Sequence, residues 1–189
     1  MYTIINNLPI DYNFSSKTKE ELKEYGLWFI ENKNSRIKSL IDSVKSTPEF
    51  EKWEANFKLN SLKDLGKWLT RTIETEKLSK DQYNEKKAMV PDYITIKDWV
   101  LTIKSRSILV DTAIYFGETF IKENAGLKWE QSFSKNKKDV NHGHIIIKLK
   151  KMELNPVWLL YILGNKLVDK ESNNVDCLYN LFKVWEKFV

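Results

Sequence analysis

The segment from about residue 103 to 124 constrains this 189-residue chain more than any other. Ile103, Val110, Ile114, Gly117 and Ile121 fall on one face of a helix, and Leu109, Ala113, Phe116 and Phe120 on an adjoining one. A helix apolar over so much of its circumference has to be enclosed by several other elements, because one neighbour covers only one stripe. Seven Trp, nine Phe and eight Tyr against six Gly and four Pro point the same way. Large rings need deep packing between regular elements, and turn-rich β proteins use more of the punctuating residues.

The flanking sequence supplies the enclosing elements. Thr18-Lys-Glu-Glu21 is a capping box opening a helix with Leu22, Tyr25 and Phe29 on its stripe. Ile37, Leu40, Ile41 and Val44 give a second amphipathic segment, and Thr47-Pro48 predicts the start of a third helix with Trp53 and Phe57 inward. Ser61-Leu-Lys-Asp64 caps a fourth carrying Leu62, Leu65, Leu69 and Ile73. Residues 74–90 are highly charged, reading as a mobile helix or connection ended by Pro91, while 93–102 fit a strand or a helix cap.

Beyond the central helix, Gly126 reads as a left-handed cap, and residues 127–133 and 144–149 as the strands of a hairpin. Asn155-Pro156 caps a further helix, and Val175, Leu178, Phe182 and Trp185 form the stripe of the last. The expected fold is α+β: a mainly helical single domain, 1–189, with a two-stranded antiparallel hairpin packed on a central helix. An N-terminal helical part covers about 1–90 and a helix-hairpin-helix part about 91–189. The lone Cys177 lies in an apolar pattern and reads as a small buried residue. A reducing cytoplasm suits it, and the N-terminal sequence and short apolar runs predict no membrane partner.

Net charge is +5, and the stretch 134–151 carries all of it through Lys135, Lys137, Lys138, Lys148, Lys150 and Lys151 against Asp139. A basic hairpin on a formally neutral body fits one local anionic partner or a solvated loop, whereas a generally basic surface would suggest nucleic acid.

Known catalytic patterns are missing. No glycine-rich phosphate loop and no Gly-x-Ser-x-Gly elbow is present, so nucleotide hydrolysis and serine hydrolase chemistry are not expected, and no cofactor is implied. His142 and His144, two apart in a strand, would face one side, with Asp139 near enough to complete a weak metal-ligand set. Asp111, Tyr115 and Glu118 share one helical stripe at i, i+4 and i+7. They read either as an acid/base group in a cleft or, as the preferred alternative, as structural acceptors fixing the hairpin on the helix.

The run Ser107 to Glu118 with its Asp111, Tyr115, Gly117 and Glu118, followed by Gly126-Leu-Lys-Trp129 and Asn155-Pro156, resembles a motif of uncharacterised bacterial proteins, some of them regarded as immunity proteins of contact-dependent or polymorphic toxin systems. The resemblance spans about residues 99–165. It implies a small cytoplasmic α+β protein without a catalytic centre. One departure stands out: inhibitors of nucleases are commonly acidic, and this chain is basic.

Three functions follow. The first is a non-catalytic protein-binding module, an immunity or accessory protein whose partner is a protein such as a toxin. Lys135, Lys137, Lys138, Trp129, His142 and His144 are its candidate binding residues. The second is a nucleic-acid-binding protein using the hairpin lysines with Trp129 and Phe133 as stacking groups. The third is a small enzyme built on Asp111 and Glu118.

Overall fold

A computed structural model describes residues 2–169 and 174–189. After a 3-10 turn at Phe14–Ser16, the elements in chain order are α1 (Lys19–Lys45), α2 (Ser61–Thr72), β1 (Thr75–Lys77), α3 (Lys80–Ala88), β2 (Trp99–Leu101), α4 (Ile103–Glu123), β3 (Trp129–Gln131), β4 (Ile145–Lys148), β5 (Glu153–Leu154), α5 (Pro156–Val168) and α6 (Cys177–Glu186). This is the expected α+β, mainly helical architecture.

The first two expected helices are one. The capping box at Thr18 and Glu21 forms as read, but nothing between Phe29 and Ile37 interrupts the backbone, so α1 continues through the polar turn at residues 31–35. The two apolar stripes thereby join, and Arg36 is carried onto the buried face with them.

The helix expected from Thr47 does not form. Glu49 and Phe57 have φ of +76° and +56°, which a right-handed helix cannot contain. The Thr47 hydroxyl instead donates to the Ser43 carbonyl and accepts from the Trp68 indole at 2.9 Å each, and isolated turns follow. Phe50 and Trp53 are buried all the same.

Residues 75–101 form an excursion. β1 and β2 pair antiparallel, Thr75 opposite Leu101 and Lys77 opposite Trp99, and α3 between them has no buried residue. A capping box of Ser79 and Gln82 closes the start of α3, and Thr102 then caps α4 through the Ser105 amide at 3.1 Å.

α4 is the central element. It packs on α1, α5 and α6, and Ile114, Tyr115, Phe116 and Phe120 are sealed from solvent. Each such apolar side chain contributes about 1.5–3 kcal/mol on burial. Ile103 is the exception to the expected face. As the first residue of α4 it lies 53% exposed, beyond the reach of the neighbouring helices.

The hairpin is present and carries an additional strand. β3 pairs with β4, Trp129 opposite Ile147 and Gln131 opposite Ile145, and β5 pairs with the other edge of β4. Gly126 has φ +89°, but it follows the helix end at Glu123 by three residues and shapes the turn into β3 rather than capping the helix. Asn155 caps α5 by accepting the Trp158 amide at 3.0 Å. In the last helix Leu178 and Phe182 are buried, whereas Val175 precedes the helix and is exposed. Cys177 is buried, and burial pushes its thiol up to about 11. Among the described residues, no helix is long and apolar enough to cross a membrane.

Candidate functional site

Asp111, Tyr115 and Glu118 occupy one stripe of α4, yet each is engaged by a different part of the chain. Asp111 is fully buried and receives Arg36 in a two-pronged pair, Nε to Oδ1 at 2.7 Å and the terminal nitrogen to Oδ2 at 2.6 Å. The Tyr2 hydroxyl donates to the same carboxylate, and Arg36 also holds the Thr3 carbonyl at 2.7 Å. Asp111 therefore clamps the N-terminal segment and α1 to α4, and its partners lie away from the hairpin expected from the sequence.

Burial raises the Asp111 carboxyl to about 6, against the pull of the Arg36 and Tyr2 hydrogen bonds. Burial also works against the Arg36 charge, but the carboxylate more than offsets it and holds the guanidinium above its ordinary value. A raised carboxyl pKa in a cleft would mark a general acid. Here the cause is enclosure by protein, and the charge is met by a fixed counterion.

Tyr115 accepts the Phe57 amide at 3.1 Å and shares a 2.8 Å hydrogen bond with the Ser61 hydroxyl. Its ring stacks on Phe57 with centroids 4.8 Å apart. It thus fixes the irregular segment before α2. Glu118 accepts from Lys33 at 2.5 Å and from the Trp129 indole at 2.8 Å. This carboxylate does join α4 to the hairpin, through a side chain of β3 and a lysine of α1.

Gly117 makes that junction possible, because a Cβ there would overlap the Trp129 ring. Trp129 also meets Phe29 edge-on at 5.1 Å. Its indole is committed inward and is not a free stacking platform. Gln131 ties the same sheet edge to α1, donating to the Leu22 carbonyl at 2.5 Å and to the Gly143 carbonyl at 3.0 Å, and it lies so close that Gly26 has no room for a Cβ.

The loop between β3 and β4 has a different construction. Polar side chains close its turns: Ser134 accepts the Asn136 amide at 3.2 Å, Asn136 the Lys138 amide at 3.0 Å, and Asp139 the Asn141 amide at 2.9 Å. Asn155 reaches back to Asn141 at 3.1 Å. Such local bonds set the backbone without help from the lysines. Lys135, Lys137 and Lys138 are exposed, and none forms an ion pair among the described residues. Lys137 donates to the Lys17 carbonyl at 3.3 Å, and Lys19 lies 5.4 Å from the centre of the exposed Phe133 ring.

His142 and His144 precede β4 and line a cleft of about 300 Å³ with Tyr12, Asn13, Lys137, Lys138 and Asp139. His142 is 7% exposed, and both of its ring nitrogens are buried without a hydrogen-bond partner among the described residues. His144 packs on Phe14 with centroids 4.5 Å apart, and desolvation lowers its pKa to about 4. Among the described residues no three of His, Cys, Asp and Glu gather to hold a metal ion, so Asp139, His142 and His144 do not assemble into the ligand set that their spacing suggested.

Sequence reasoning missed Arg36, Tyr2 and the N-terminal wall of this cleft. Arg36 left one signal, since it sits beside Ile37 where the two apolar stripes meet; Tyr2 left none. Compared with protein-family models, curated proteins and solved structures, the chain matches none. Its site is therefore defined by its own geometry.

Proposed function

We propose that this chain is a protein-binding module that performs no chemistry of its own, of the immunity or accessory type suggested by the motif resemblance, with a protein such as a toxin as its partner. One observation carries the reading: the acid/base stripe of α4 is consumed by structural bonds, while the lysines of the β3–β4 loop are exposed, stand outside every ion pair among the described residues, and take no part in the side-chain bonds that close the loop's turns. The clefts at that loop, on the sheet face, beside β3 and beside α1 are lined by residues other than Asp111, Tyr115 and Glu118. Unpaired surface charge of this kind speeds and orients encounter with a complementary protein.

A second feature supports a protein partner. β3 is an edge strand, and exposed Leu27 and Ile30 of α1 flank it in an apolar groove with Trp129 and Ile145. Sheet edges beside apolar side chains are common docking places for polypeptide. Nucleic acid is less favoured because Trp129 is turned inward and the body outside residues 134–151 is formally neutral.

The test is affinity capture from the source cell with the native chain and with Lys135→Glu/Lys137→Glu/Lys138→Glu. The expected result is a protein partner held by the native chain and lost from the triple variant at low salt. Retention of every partner by the triple variant overturns the role of the loop, and salt-sensitive capture of nucleic acid alone overturns the protein reading.

A further inference from the structure

We propose that the cleft between residues 12–15 and the β3–β4 loop is a carboxylate-binding site that receives an aspartate or glutamate side chain from an acidic segment of the partner. The inference rests on the protein-binding reading and assigns that reading its chemistry.

The cleft combines three properties. Lys137 and Lys138 line it and have no acidic partner among the described residues. The nearby acids are engaged: Asp11 by Lys17 and the Asn13 amide, both at 2.9 Å, and Asp139 by the Asn141 amide at 2.9 Å. Asp139 shares the lining and offsets one of the two lysines, so an acid supplied from outside would meet a lining that keeps one cation in excess.

His142 supplies the second observation. His142 lines the cleft, is more than nine-tenths buried with both ring nitrogens closed off from solvent, and neither nitrogen has a hydrogen-bond partner among the described residues. A neutral imidazole always carries one N–H, and a cationic one carries two. An unmet buried donor is costly, and a hydrogen bond to an entering oxygen that displaces the cover over it relieves that cost. An anionic acceptor satisfies the histidine and both lysines at once, whereas an amide or hydroxyl leaves the lysine charge unmatched.

The third property is size. At about 300 Å³ the cleft is at the small end of ligand sites and suits one side chain rather than an extended polymer. Nucleic-acid surfaces instead spread several cations along a phosphate backbone. The β3–β4 loop holds Lys135, Lys137 and Lys138 against Asp139 as a compact group rather than a line of cations, which favours a single acidic segment of a protein.

The experiment uses the full chain with its histidine imidazoles followed by NMR, titrated separately with a hexaglutamate peptide, a hexaglutamine peptide and a short single-stranded DNA. Hexaglutamate is expected to bind at low salt and shift the His142 resonances, with hexaglutamine inert. Lys137→Glu/Lys138→Glu should weaken that binding by roughly tenfold or more, and His142→Phe should weaken it while leaving the lysines in place. Because His142→Phe changes a buried group, the lysine pair provides a test that does not depend on its folding.

Hexaglutamate that leaves His142 unmoved, or binds Lys137→Glu/Lys138→Glu as well as the native chain, overturns the site. DNA that moves the same imidazole at lower concentration than hexaglutamate also overturns it. If captured protein is lost from the triple lysine variant while hexaglutamate leaves His142 unmoved, the protein-binding reading stands and the carboxylate site falls. If neither protein capture nor hexaglutamate binding depends on the lysines, both fall.

Discussion

On α4 the Asp111 carboxylate lies beneath protein with Arg36 and Tyr2 around it, whereas Lys135, Lys137 and Lys138 stand in solvent on a loop whose turns other side chains close. Both regions drew attention in the sequence because they concentrate charge. Burial separates their roles. A charge removed from water must be met inside the protein, so it becomes part of the structure, while one left in water is free to meet something else.

The sharpest way to break this contrast is to remove the partner of the buried acid. Arg36→Met leaves Asp111 enclosed without its counterion and should destabilise the fold by about 3–5 kcal/mol in denaturant unfolding. Arg36→Met/Asp111→Leu should recover a large part of that loss, since the uncompensated charge goes with the carboxylate. A small effect of Arg36→Met alone would mean that the pair does not organise the N-terminal segment.

Glu118→Gln tests an intermediate case. The Lys33 pair loses its charge while the Trp129 contact keeps an acceptor, so about 1–3 kcal/mol of destabilisation is expected. A fully stable variant that had lost a measurable activity would restore the catalytic reading of the stripe.

His144 gives a pH signature. Its pKa falls from 6.5 in the unfolded chain to about 4 in the folded protein, so the folded state binds fewer protons between those values. Its contribution to stability is whole above pH 6.5 and is lost as pH drops toward 4. Asp111, raised from 3.8 to about 6, acts in the opposite direction over much of this range. The contrast between the native chain and His144→Phe isolates the histidine: the variant should lose less stability between pH 7 and 5, by on the order of 1 kcal/mol. Equal acid sensitivity of the two proteins would show that His144 is not desolvated.

The smallest effect belongs to the loop. Lys135→Glu/Lys137→Glu/Lys138→Glu should change unfolding free energy by about 0.5 kcal/mol or less, because exposed lysines outside ion pairs hold little of the fold. A loss of several kcal/mol would make these lysines structural and erase the distinction between the two regions.

Local signals determined much of the architecture. The Thr18 capping box, the Asn155-Pro156 helix start and the apolar girth of α4 each depend on residues within a turn or two, and each is formed as read. Thr47-Pro48 shows the limit: Trp68, far along the chain, takes the Thr47 hydroxyl, and the backbone there turns instead of coiling. The stripe of Asp111, Tyr115 and Glu118 was legible as a stripe, but its chemistry was not. Their partners come from Tyr2, Arg36, Phe57, Ser61, Lys33 and Trp129, and no local rule links those positions. The sequence by itself determined that helices begin at Thr18 and Asn155 and that α4 is central, because caps and apolar periodicity act over a few residues. Tertiary structure alone decided that Asp111 is clamped, Trp129 turned inward and His142 buried, because burial and counterion placement depend on segments that meet only when the chain folds.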